Sequence, residues 1–235
     1  MTKNEIHIAI DEAGNPNDEK PFIISAVLIN DINCYLNLYE EAIKDAQRLT
    51  GKNIKYFKWS EDSPKQFKLG KDVKGIFVNK VLKNLTGISL IIKKVNETKL
   101  SNCSAKIYGE ILGLHLRKYV ASKSVVVHYD RTPILRESDK QYIIINFPKW
   151  TLAKVLRVDF TGHDKCELIH SADYISGIVR EHVMKDELKE EYRQKVEEYF
   201  NVVIKNFKIK EVNIKDYEQS ESDVVFIIIY KFKIS

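Results

Sequence analysis

Apolar and polar positions alternate along Ile6-His7-Ile8-Ala9-Ile10-Asp11, and the run closes on two carboxylates, Asp11 and Glu12, before Gly14-Asn15. A period of two is that of a strand, and Gly and Asn mark its end. Residues 21–29 (PFIISAVLI) are apolar without interruption, as in a central strand buried on both faces. They are expected to pair antiparallel with the first strand through the polar turn between them. Further strands are expected at residues 88–95, 125–130 and 155–160. Residues 35–49 place Leu38, Ala42, Ala46 and Leu49 at helical spacing, with caps available in 30–33. Helices are also predicted over 73–85, 104–120, 138–152 (interrupted near Pro148) and 166–184. A charged helix over 186–206 precedes two isoleucine-rich runs, 207–214 and 223–232, which read as a closing β-hairpin.

The expected architecture is therefore α/β, a mixed five-stranded sheet with flanking helices plus a C-terminal helix and β-hairpin. The composition shifts near Lys185. That divides a main domain, 1–185, from an extension, 186–235, packed on it.

Composition narrows the classes. A chain of 235 residues with 44% hydrophobic and 30% charged residues can bury a sizeable core. A net charge of +5 is compatible with a polyanionic partner and with much else. Three scattered cysteines, Cys34, Cys103 and Cys166, offer neither metal spacing nor a disulfide framework, which suits a reducing compartment. No signal peptide or membrane-length apolar run is evident, so a cytoplasmic location and no membrane partner are expected. No phosphate-binding glycine loop, dinucleotide fingerprint or nucleophile elbow is present.

The chemistry suggested is that of carboxylates. A second strand ends in acid at Val127-His128-Tyr129-Asp130, and Asp173 lies among small and apolar residues in Ile169-His170-Ser171-Ala172-Asp173-Tyr174-Ile175-Ser176-Gly177. Carboxylates at the margin of a core need hydrogen bonds, water or a cation. Several of them drawn from different elements suit Mg²⁺ or Mn²⁺, hard ions that prefer oxygen. Asp11 and Asp130 would share one sheet edge if their strands are neighbours.

Residues 52–74 hold seven lysines against Glu61, Asp62 and Asp72, a net +4, with Tyr56, Phe57, Trp59 and Phe67 interleaved. Such a stretch suits phosphate neutralisation with base stacking. The other reading is a solvated lysine-rich loop whose aromatics pack inward. On the first reading Lys55, Lys58, Trp59, Lys65 and Lys68 would contact nucleic acid.

Taken together, Ile10-Asp11-Glu12-Ala13-Gly14-Asn15, Val127-His128-Tyr129-Asp130 and His170-Ser171-Ala172-Asp173-Tyr174-Ile175-Ser176-Gly177 resemble the domain-of-unknown-function 3800 family (DUF3800) over roughly residues 5–183. Typical members open with Ile-Asp-Glu-Ser-Gly-Asn and later carry Leu-Gln-x-Ala-Asp-Leu-x-Ala-Gly. The resemblance implies a ribonuclease H-like fold, whose members cut or join nucleic acid with carboxylate-bound divalent metals. It implies Asp11, Asp130 and Asp173 as metal ligands and catalytic residues, with Glu12 as a further acid. His170 stands where Gln is common, where a histidine can meet phosphate or shuttle a proton. Tyr56 stands where the family's Glu-x-Lys-Trp segment has its acid, so Glu61 is a possible substitute. Glu110 falls on the helix that supplies a ligand in ribonuclease H-like sites, with Asp159, Asp164 and Glu167 as rivals. The expectation is a metal-dependent nuclease acting on DNA or RNA. The alternatives are a binding module on the same fold without catalysis, and a small-nucleotide phosphohydrolase. A homodimer through the strands after Phe207 is a further option.

Overall fold

The computed structural model describes residues 5–15, 20–62, 72–93 and 103–213. Six strands form one sheet: β1 (Glu5–Ala13), β2 (Phe22–Ile29), β3 (Thr86–Lys93), β4 (Ser124–Asp130), β5 (Lys154–Thr161) and β6 (Phe207–Asn213), in the order β5-β4-β1-β2-β3-β6. β2 runs antiparallel to β1 and β3, as the short connection between β1 and β2 requires. β4 is parallel to β1, β5 to β4 and β6 to β3. The mixed α/β sheet with flanking helices is the architecture expected. It has six strands rather than five because residues 207–213 extend it beside β3. The run 223–232, expected to complete a hairpin, lies outside the described residues.

The helices are α1 (Ile32–Thr50), α2 (Val73–Lys80), α3 (Leu112–Val120) after a π-helical turn (Lys106–Ile111), α4 (Glu137–Thr151), α5 (Ile169–Val183) and α6 (Glu190–Val203). Asp31 caps α1 by accepting from Cys34 N at 2.9 Å. α4 runs on through Pro148 instead of breaking there.

Strand alternation divides the core into two layers. Ile6, Ile8 and Ile10 of β1 meet Val125, Val127 and Tyr129 of β4 beneath the π-turn, α3 and α4. Ala9, Ile23 and Val27 lie on the other face, beneath α1, α2, α5 and α6. Every residue of β2 is buried, as its unbroken apolar run requires. Among the described residues no helix is long and apolar enough to cross a membrane.

Candidate metal centre

β1 and β4 are parallel neighbours with Ile10 opposite Tyr129, so Asp11 and Asp130 follow at the same end of adjacent strands. Asp11 lies on the face covered by α5, and Glu12, one residue on, turns to the opposite face. α5 carries Asp173 over this strand end. The ligand-capable atoms of Asp11, Asp130 and His163 all lie within 4.8 Å of one another. His163 Nε2 stands 3.8 Å from Asp173 Oδ2.

The four carboxylates feel one another. Burial, then the charges of Glu12, Asp173 and Asp130, hold Asp11 well above the usual carboxylate range. Burial raises Glu12 to about 7, with Asp130 adding to the shift and hydrogen bonding from Thr132 opposing it. Asp130 and Asp173 are raised as well, chiefly by burial, while His163 and Lys58 pull both down. Converging carboxylates of this kind, Asp11 buried and the others half-buried, are stabilised by protons or by a cation. The donor set, carboxylate oxygens with one imidazole, fits a divalent ion.

Each carboxylate is held by the fold. Glu12 N donates to Asp11 Oδ1 at 2.7 Å. Trp59 N donates to Asp173 Oδ2 at 2.7 Å. The loop bearing Trp59 is fastened by Asp62, whose Oδ2 accepts from Lys58 N at 3.1 Å and also from the Tyr174 hydroxyl. The buried Tyr108 hydroxyl lies against Glu12 and Thr132, and burial, with the charges of Glu12 and Asp11, raises the pKa of its phenol.

Other expected residues fall differently. His170 is 2% exposed. Its Nε2 donates to His163 O at 2.7 Å, so its Nδ1 accepts from the Tyr39 hydroxyl at 2.6 Å. With both nitrogens engaged, His170 is fastened to the turn that bears His163. Trp59 is 6% exposed and is corrected from a stacking platform to a core residue. Lys74 Nζ sits 3.4 Å over its ring, Tyr174 and Tyr199 meet it edge-on, and Gly177 presses on its pyrrole side. Phe57 is fully buried too, so these aromatics follow the inward-packing reading. Lys58 lies at the rim, paired with Glu61 at 3.1 Å, and Lys55 is exposed. Lys65 and Lys68 lie outside the described residues. Glu110 is half-buried in the π-helical turn. Tyr108, in the same turn, lies against Glu12 and feels the charge of Asp11.

His163 is a ligand-capable residue that the sequence reading does not single out. The available signal is its place two residues beyond β5, whose Thr161 pairs with Asp130. A chain leaving that strand end must pass the carboxylates.

No protein-family model matches the chain, and no curated protein does. Among solved structures it is similar to a chain of the PCNA:RNase HII complex from Archaeoglobus fulgidus, with 17% identity over 83% of this chain and 89% of that one, TM-score 0.40. It is also similar to Bst-RNase HIII in complex with Mn²⁺, with 11% identity over 78% of this chain and 55% of that one, TM-score 0.47. A mutant form of Bst-RNase HIII gives 11% identity, 78% and 54% coverage and TM-score 0.46.

Proposed function

We propose that this protein is a divalent-metal-dependent phosphodiesterase that cuts nucleic acid, with Asp11, Asp130 and Asp173 holding Mg²⁺ or Mn²⁺ and Glu12 completing the acidic cluster. The supporting observation is the convergence of these carboxylates from β1, β4 and α5 at one strand end, each with its pKa raised by burial. A divalent ion held there supplies Lewis-acid polarisation of a phosphoryl oxygen. The residues around it do the rest. Trp59 N fixes the Asp173 carboxylate, and the Glu12 N–H fixes Asp11. Lys58, at the rim, meets the phosphate backbone. Glu12, at about 7, can exchange a proton near neutrality.

The test is cleavage of labelled single-stranded, double-stranded and hybrid DNA and RNA in Mg²⁺ or Mn²⁺, beside calorimetric titration of metal. The expected result is metal-dependent cleavage, with Asp11→Asn, Asp130→Asn and Asp173→Asn each losing about a hundredfold in activity or metal affinity. Metal binding without cleavage of any polymer would point to the binding module, and cleavage of nucleotides alone to the phosphohydrolase. No metal binding would overturn the reading.

A further inference from the structure

The acidic residues alone would describe an all-oxygen site suited to Mg²⁺. The imidazole of His163 changes that. Ligands about 2.1 Å from an ion stand no more than about 4.2 Å apart, so donor atoms within 4.8 Å need only a small closure. The ring is held where it is. Its own carbonyl accepts from His170, its ring packs on the His170 ring at 4.3 Å between centroids, and Tyr56 meets it edge-on at 6.0 Å. A metal-bound imidazole uses one nitrogen and donates its other N–H to a carbonyl or carboxylate. His163 has both kinds of acceptor at hand, Phe57 O at 3.2 Å from Nε2 and the Asp173 carboxylate beyond it. On the far side of Asp11, the Tyr108 hydroxyl lies against Glu12 and Thr132 and closes off the apolar layer beneath the cluster.

We infer that His163 is a further ligand of this centre, joining Asp11 and Asp130 with Asp173 alongside, and that the centre takes Mn²⁺ in preference to Mg²⁺. The inference rests on the metal-binding part of the function proposed above. Its chemical basis is the donor change: carboxylate oxygens serve Mg²⁺ and Mn²⁺ alike, but an added imidazole selects against Mg²⁺, the harder ion, while Mn²⁺, a first-row transition ion, accepts it. His170 is then the residue that positions the ligand, through the His163 carbonyl.

The experiment is Mn²⁺ titration followed by electron paramagnetic resonance, with Mg²⁺ as competitor, on the wild type, His163→Asn, His163→Asp and Asp11→Asn. Circular dichroism confirms folding of each. Pulsed resonance on the wild type reads nitrogen coupling to bound Mn²⁺ without any mutation. The expected results are nitrogen coupling in the wild type and loss of that coupling in His163→Asn. That variant should also bind Mn²⁺ about tenfold more weakly, with Mg²⁺ affinity changed less than about twofold. His163→Asp, which restores an all-oxygen set, should narrow the Mn²⁺ preference over Mg²⁺. The inference is overturned if wild-type Mn²⁺ shows no nitrogen coupling, or if His163→Asn weakens both ions equally or neither. In that case retained sensitivity to Asp11→Asn leaves the nuclease reading standing. Absence of Mn²⁺ binding in the wild type, or binding indifferent to Asp11→Asn, would overturn both.

Discussion

His170 shows how little a residue's type says about its task. A histidine three positions before Asp173 suggests proton transfer, yet Tyr39 and the His163 carbonyl occupy both of its nitrogens. Burial, reinforced by His163, pushes its pKa down to about 3. The sign of the pH effect follows. The unfolded chain takes up a proton below about 6.5 and the folded chain does not until about 3, so the contribution is full above 6.5 and is lost as pH falls through that window. Between about pH 6.5 and 5 the loss should be about 2 kcal/mol. His170→Gln keeps a polar side chain but cannot titrate. Thermal melts at about pH 7 and 5 should show the wild type losing more stability than this variant over that interval. Equal losses would mean that the imidazole is not held neutral. The sequence marks this position but cannot assign its role, because Tyr39 is 131 residues away.

At the scale of elements, the contact between α5 and the Trp59 loop decides whether Asp173 is held. A Cβ on Gly177 would stand 2.3 Å from Trp59 Cδ1, which the ring cannot accept without moving. Gly177→Ala should therefore destabilise the protein by about 1–3 kcal/mol. It should also weaken Mn²⁺ binding, because the Trp59 N–H that fixes Asp173 moves with the ring. Denaturant unfolding and tryptophan fluorescence read the first effect, and metal titration the second. Lower stability with unchanged metal affinity would show that the loop does not hold Asp173. The helix with its small residues is legible from the sequence, and so are the strands that end in Asp11 and Asp130. The burial of Trp59 is not. Its neighbours in the chain are rich in lysine, and one of those lysines, Lys74, covers its ring while Tyr174 and Tyr199 enclose it from segments more than a hundred residues away.

Across the whole molecule, stability and chemistry lie in different parts of the sheet. β6 is three strands from β1, about 14 Å at the usual spacing. Phe207 opens β6 and packs tightly where Gly87 leaves room on β3. Phe207→Ala should cost about 3 kcal/mol, while Mn²⁺ affinity stays within about twofold of wild type, a margin of roughly 0.4 kcal/mol. Melting and metal titration on one preparation check both, and a parallel loss of metal binding would show the two parts to be coupled. The sixth strand is visible as an isoleucine-rich run, but its partner is not, because pairing with β3 joins residues more than a hundred apart. β1 has the opposite character. Ile6, Ile8, Ile10 and Glu12 face one side of the sheet, and His7, Ala9 and Asp11 the other, so the same alternation fills one core and aims Asp11 at Asp130 and His163. Replacing any one of these residues disturbs one contact. Inserting or deleting one between Glu5 and Asp11 inverts every face at once, turning isoleucines toward α5 and a carboxylate into the apolar layer. Homologues of this chain should therefore vary along β1 by exchange and never by length, and engineers should place any added residue beyond Ala13.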